Sequence, residues 1–469
     1  MQQAAPRRTI VDKIFDAHAI HEESGRTLLY VDRVIAADTA LPAFKALEQE
    51  GRRVRRPGQA LHIPDHFTPS SGRTLDDVAD DEMRAFIGGT AAAARTAGVP
   101  AFVLGDARRG IQHVVATEQA YAQPGIVLAA SDSHTPTQGA VGALALSIGT
   151  DLAHALATQC VWLKRPQAMR IALEGRLARN VTAKDVALAL VARLGCGGAS
   201  GLAVEYSGSF IRELSVEGRM TLCNLSVETG ARTAIVAPDE VTFDYLRGRP
   251  YAPSSRYWDD AVALWTALAS DRDAPYVREL TLDVSTIEPM VTWGNNTENA
   301  VPITGRVPDP DAETLPERRT LIRKSLDYMG LAPSTPASQI EINQVFIGSC
   351  ANSTLEDLRA AARLMRGRKV VVPTLVVPGS GLVKAQAEAE GLAAIFTDAG
   401  ARWSEAGCSM CNSMNGDVVP PGARCASTAN RNHAGRQGPG SRTHLVSPPT
   451  AAAAAIVGRL TDVRQWPDE

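Results

Sequence analysis

The chain has 469 residues, too many for a single compact core, and roughly two to four domains are expected of it. Hydrophobic residues make up 45% and charged residues 21%, which excludes a disordered or fibrous chain. A formal net charge of −3 gives no general pull toward nucleic acid or acidic membranes, and no apolar run approaches the ~18 residues of a membrane span.

The N-terminal stretch 1–8 lacks the apolar core of a secretion signal. Seven Cys in so long a chain, an odd number, do not make a disulfide framework, so a reducing cytoplasm is expected. Sparse aromatics and abundant Ala and Gly suit small α/β units. From Ile10 to about Lys164 short apolar runs alternate with polar loops. Strands are predicted at 28–31, 101–104 and 126–130, leading into Asp32-Arg33, Gly105-Asp106 and Ser131-Asp132-Ser133-His134. In open α/β sheets ligands face the carboxyl ends of strands, so these polar residues are candidates for chemistry. Thr150 is the predicted cap of a helix through Leu152, Leu156 and Gln159.

The turn Trp162-Leu163-Lys164-Arg165-Pro166 marks a boundary, which gives units at 1–164, 165–287 and 288–469. Thr182-Ala183-Lys184-Asp185 resembles a capping box, and Gly195 stands where the following helix should stop. Residues 288–331 read as a linker rich in Pro, Asn, Thr and charge. A strand at 344–347 then leads to Cys350, and Ser353-Thr354-Leu355-Glu356 forms a predicted capping box. Leu355, Leu358, Ala362 and Met365 recur at helical spacing as far as Gly367. Residues 370–372 and 375–377 are strand-like, with Pro373 interrupting them, and 423–445 reads as a long polar loop.

Cys350 falls in a strand-to-helix turn, where a helix N-terminus favours a thiolate. Cys408 and Cys411 flank a two-residue turn, so both sulfurs can reach one metal site. Half a zinc site or a redox pair has the same spacing, although no second C-x-x-C and no His pair accompany it. Cys425 lies in a loop that reads as engaged elsewhere, and Cys160, Cys196 and Cys223 read as buried bystanders. The Gly195–Gly201 passage follows a helix instead of a strand, which argues against a phosphate loop. Arg52-Arg53-Val54-Arg55-Arg56 is read as a solvated face.

Three passages taken together resemble the cluster and substrate motifs of the aconitase superfamily. They are Phe346-Ile347-Gly348-Ser349-Cys350-Ala351-Asn352-Ser353, Gly407-Cys408-Ser409-Met410-Cys411, and Asn430-Arg431-Asn432 with Gly435-Arg436. Asp12-Lys13-Ile14, Leu29-Tyr30-Val31-Asp32-Arg33, Asp132-Ser133-His134-Thr135, Glu217-Gly218-Arg219-Met220-Thr221 and Arg442-Thr443-His444-Leu445 are closer to its isopropylmalate isomerase large subunits. The resemblance covers essentially the whole chain, in order.

It implies an α/β fold of three α/β/α domains around a 4Fe–4S cluster held by Cys350, Cys408 and Cys411. One iron is then left without a protein ligand, free to act as a Lewis acid. It further implies a hydro-lyase that moves a hydroxyl between adjacent carbons. Asp65 and His66 would assist the departing hydroxyl, His113 and Asp132 would form a second His–carboxylate pair near the iron-bound water, His134 would be a further active-site histidine, and Glu205 would face that water. Ser133, Asn430, Arg431 and Arg436 would bind substrate, guanidinium groups matching carboxylates in bidentate geometry. Without the family a lone His more often reads as structural, and Asn430-Arg431-Asn432 as a solvated basic loop.

Ala351 replaces the Thr usual after the first cluster cysteine, and Pro42 stands where the family often has a substrate-binding Gln. The chain reaches Glu469 without the fourth, mobile domain of single-chain aconitases, so a separate small swivel-domain subunit is the expected partner. The substrate expected is isopropylmalate, in leucine biosynthesis, with homoaconitate, citraconate/methylmalate or dimethylmalate as alternatives. A non-catalytic Fe–S or RNA-binding protein is the alternative of another class, which balanced charge disfavours.

Overall fold

The computed structural model describes residues 7–467; residues 1–6 of the stretch read for a secretion signal lie outside the described residues. Three parallel sheets follow one another along the chain. The first is formed by β1 (Arg33–Ala37), β2 (Ala60–Ile63), β3 (Val127–Ala130) and β4 (Leu144–Ser147), in the order β2-β1-β3-β4. Between β2 and β3 lies the short helix α1 (Gln112–Glu118).

The second sheet contains β5 (Ala168–Glu174), β6 (Ala203–Ser207), β7 (Thr233–Val236) and β8 (Arg278–Asp283), ordered β7-β6-β5-β8. Helix α2 (Ala183–Leu194) connects β5 to β6, and α3 (Val216–Ser226) lies between β6 and β7. The third sheet, five-stranded, comprises β9 (Gln344–Ile347), β10 (Thr374–Val376), β11 (Arg402–Trp403), β12 (Arg424–Ser427) and β13 (Arg442–Leu445), ordered β11-β10-β9-β12-β13. Helix α4 (Leu355–Met365) follows β9. Nearly all strand positions in the sheet centres are buried, as parallel sheets covered on both faces require. One apolar core runs through all three sheets, joining Ile35 and Leu128 to Ile171 and Val204 and to Val345 and Ala426. Among the described residues no helix is long and apolar enough to cross a membrane.

Several local expectations find their counterparts. Thr182 and Asp185 form a reciprocal capping box on α2, and Gly195 ends that helix with φ 77°. The predicted box before α4 is displaced by one residue. Thr354 caps and Asp357 reciprocates, because the backbone N–H of Glu356 donates to the Glu217 carboxylate instead. Residues 101–104 form no strand; Ala101 makes one isolated bridge to His62. Residues 370–372 also stay out of the sheet, since Val371 is 65% exposed and its N–H donates to Ala455. The supposed linker contains a two-stranded ribbon, Met290–Thr292 with Ala300–Pro302, and the helix Pro316–Met329. The polar loop at 423–445 contains β12 and β13, whose buried Thr443 and His444 disguise a strand as a loop. The helix expected to be capped by Thr150 begins at Leu152, after a 3-10 turn at Gly149–Asp151.

Close backbone approach joins the first segment to the last. The Ile111 N–H donates to the Gly379 carbonyl at 2.8 Å, and a Cβ on Gly110 would lie 2.4 Å from that same oxygen. Only glycine permits this contact. It anchors the chain one residue before α1, which carries His113.

Candidate active site and metal centre

The carboxyl ends of β1, β2 and β3 release Asp38, Asp65-His66 and Asp132-Ser133-His134 at one edge of the first sheet. His66 is enclosed by carboxylates. Its Nδ1 lies 2.5 Å from Asp65 Oδ1 and 3.4 Å from Asp38 Oδ1, and its Nε2 lies 3.1 Å from Asp132 Oδ2. Burial opposes a charge here, but Asp65, Asp132 and Asp38 together hold the imidazolium well above its ordinary range. Asp132 also accepts from His113 Nε2 at 2.8 Å and from the His134 N–H at 2.6 Å. Against the cost of its burial, His113 and His66 hold Asp132 well below the usual carboxylate range.

A second chain of hydrogen bonds continues from His134. Its Nε2 is 3.0 Å from Glu228 Oε1, and its Nδ1 is 3.1 Å from Ser133 Oγ. Arg431 closes the loop, donating from Nε to Glu228 at 2.8 Å and from Nη1 to Ser133 Oγ at 3.1 Å. Burial lowers the pKa of His134 despite the Glu228 carboxylate, so its ring is neutral. Burial would raise Glu228, but His134 and Arg431 outweigh it and keep the group ionised. A consistent proton order follows: Arg431 donates to Ser133, Ser133 to His134 Nδ1, and His134 Nε2–H to Glu228.

Glu205 requires correction as a member of this set. It lies in the middle of β6, paired with Ile235 on one side and Arg170 on the other, and not at a strand end. Its Oε2 accepts from Ser270 at 2.8 Å, with Tyr276 and Lys13 nearby. The carboxylate that does reach His134 is Glu228, in the turn directly after α3. One helical turn earlier on the same element is Asn224, also absent from the sequence reading, whose Nδ2 donates to Cys350 Sγ at 3.2 Å. Spacing of four residues at a helix end was the available signal, since i and i+4 share a face.

The thiols come from the third sheet. Cys350 follows β9; between β11 and β12, Cys408 precedes the 3-10 turn Ser409–Cys411 and Cys411 ends it. All three are buried. Asn430, after β12, donates from Nδ2 to Cys350 Sγ at 3.2 Å. Ser349 Oγ lies 3.1 Å from Cys411 Sγ, and Arg436 Nη2 lies 3.9 Å from the same sulfur. The Cys408 N–H donates to the Asp65 carbonyl at 3.2 Å, which ties the thiol loop to the His66 edge. That loop is further held by Asp417, which accepts from Ser409 at 2.6 Å, from Arg402 and Asn415, and from Ser70 of the first segment. Gly407 meets Thr68 so closely that a Cβ would lie 2.7 Å from its hydroxyl, and its φ of 155° suits glycine.

The donor set fits an iron–sulfur cluster. As free thiols Cys350 and Cys408 are disfavoured as anions: burial, with Cys411 and Asp132 adding to it, pushes Cys350 up to about 12, and burial with Asp65 raises Cys408 well above its ordinary value. Yet Asn224, Asn430 and Arg436 aim N–H groups at the sulfurs, an arrangement that suits thiolates bound to a cation. Among the described residues Asp65, His66 and Cys408 gather their ligand atoms within 4.8 Å. Both nitrogens of His66 already face carboxylates, which leaves it no lone pair for a metal. Cys425 is buried within β12, and Cys223 within α3.

Arg436 is partly buried; among the described residues its Nε has no hydrogen-bond partner, and the hydrogen bond its guanidinium makes is the long approach to Cys411. Such a group is ready to receive a carboxylate. The profile of the Aconitase family (aconitate hydratase) matches residues 12–458, and the chain belongs to that family of hydro-lyases.

Proposed function

We propose that this member of the aconitase family is the large subunit of a 4Fe–4S hydro-lyase that interconverts 2-isopropylmalate and 3-isopropylmalate by dehydration and rehydration. Three domains near 1–164, 165–287 and 288–469, each built on one of the parallel sheets, would surround the cluster. The carrying observation is that three buried thiols, met by amide and guanidinium donors, adjoin the edge where His66, Asp132 and His134 converge. The closer motif match to isopropylmalate isomerases supports the substrate, and a small swivel-domain subunit would complete the site.

Cys350, Cys408 and Cys411 would hold the cluster, and when bound it would supply a Lewis-acid iron. The protein's own groups divide the remaining work. His66 carries protons on both nitrogens and can deliver one to a departing hydroxyl, with Asp65 and Asp132 stabilising the charged ring. Arg436 offers its unpaired guanidinium edge to a substrate carboxylate, while Arg431 with Ser133 and Asn430 orients the substrate from the β12 side. Neutral His134 and ionised Glu228 form a relay able to pass a proton from the Ser133 side.

The test is anaerobic reconstitution of the purified chain with iron and sulfide, followed by assay with a co-expressed small subunit. Hydroxy-diacids should perturb the spectrum of one labile iron, and isopropylmalate should turn over faster than homoaconitate, methylmalate or dimethylmalate. A redox-active cluster indifferent to every diacid would remove the enzyme reading. Preference for another diacid would move the substrate and point to Ala351 and Pro42.

A further inference from the structure

Lys184 is fully buried, the second residue of α2. This is an adverse place for a cation, since a helix N-terminus is the positive end of its dipole. Its Nζ donates to two backbone carbonyls, Ala429 at 2.6 Å and Thr428 at 3.1 Å. The nearest carboxylates are already engaged. Asp185 accepts from Thr182 and Met290, and Asp357 accepts from Thr354 and Asn352. A Met of similar length would fill the space without the penalty of a buried ion. The charge therefore needs a reason beyond packing.

Two observations supply one. The carbonyls that Lys184 holds belong to the two residues directly before Asn430 and Arg431, so the ammonium sets the start of the segment that reaches Cys350 and Glu228. As thiolates, the form a bound cluster would impose, Cys350 and Cys411 act on Lys184 more strongly than Asp357 and Asp185 do. Burial lowers its pKa to about 8, and these sulfurs oppose that shift.

We infer that Lys184 is a positioning residue for the metal centre, pinning the Thr428–Ala429 backbone and supplying the buried positive charge that offsets the Cys350 and Cys411 thiolates. The charge half rests on the cluster reading above; the pinning half stands on the hydrogen bonds alone. Net charge around an iron–sulfur centre sets its reduction potential, so the charge has a readout separate from turnover.

The experiment uses the full chain with two substitutions. Lys184→Gln keeps a donor for the carbonyls and removes the charge, while Lys184→Met removes both. Spectro-electrochemical titration of the reconstituted protein should show a lower potential for both variants than for the wild type. Amide hydrogen exchange of the cluster-free chain should be about tenfold faster or more at residues 428–432 in Lys184→Met, and close to wild type in Lys184→Gln. Equal potentials in all three proteins would overturn the charge role, and unchanged exchange in Lys184→Met would overturn the pinning role. A wild-type chain that takes up no iron would overturn the cluster reading and the charge role together, while the exchange comparison still decides the pin. If Lys184→Met does not fold, Lys184→Ala takes its place: slower exchange in wild type than in Lys184→Ala supports the pin, and equal exchange overturns it.

Discussion

Replacing Glu228 by Gln tests which carboxylate serves His134. Glu228 accepts one hydrogen bond from His134 at 3.0 Å and one from Arg431 at 2.8 Å. Bonds with a charged partner contribute about 1.5–3 kcal/mol each. An amide retains one acceptor oxygen and loses the charge, so a net loss of about 2–4 kcal/mol in transition-state stabilisation is expected, or about 30- to 1,000-fold in kcat. Glu205→Gln is the control, since Glu205 is bonded to Ser270 and lies mid-strand in β6. It should stay within about threefold of wild type. The assay is anaerobic hydration of the unsaturated diacid by the reconstituted chain co-expressed with a small subunit of the proposed swivel-domain type, with iron content matched between variants. If Glu205→Gln loses as much activity as Glu228→Gln, or if Glu228→Gln keeps near wild-type turnover, the site is wrongly assigned.

Arg219 is fully buried and donates to both Asp239 oxygens at 2.7 Å, to Thr242 and to the Leu214 and Ile211 carbonyls. Arg219→Met should cost about 3–5 kcal/mol in urea unfolding, with partial recovery when Asp239→Asn is added. Glu217 is raised by burial to about 7, above its ordinary 4.5, so its proton favours the folded state. That stability is fully present below about pH 4.5 and is lost as pH rises through about 7. Glu217→Gln should therefore raise the Tm at pH 8 and leave it nearly unchanged at pH 5. Serine at Cys350, Cys408 or Cys411 should each sharply lower bound iron and sulfide after reconstitution, whereas Cys425→Ser, in the middle of a buried strand, should retain both.

Strand ends and short motifs carried most of the legible information. The strand before Cys350 and the strand before Asp132 lie close to where their apolar runs place them, because three or four buried residues bounded by polar turns have few other uses. Glu228 and Asn224 were not legible in the same way. They reach the site from a helix end, and α3 is buried nearly all round, so its sequence shows no polar face to mark the direction of the site. Lys184 was hidden differently. A Lys beside a capping box reads as solvent-exposed, and only the packing of α2 against the segment after β12 reveals it as buried. The strands β12 and β13 were missed because Thr, His and Arg in parallel pairing lack the alternation of an amphipathic strand.

The bond between Ser70 and Asp417 has a kinetic meaning. It spans 347 residues of chain, and the thiol loop it steadies rests on the edge that presents His66. During synthesis at roughly 5–20 residues per second, the early half of this pocket would wait on the order of 20–70 seconds for the late half. Over that interval Asp38, Asp65 and Asp132, which surround one imidazole in the folded protein, would have no thiol loop to cover them. A nascent chain whose first segment folds on emergence would carry this acidic cleft uncapped, and the three thiols, all from the last third of the sequence, would meet it only afterwards.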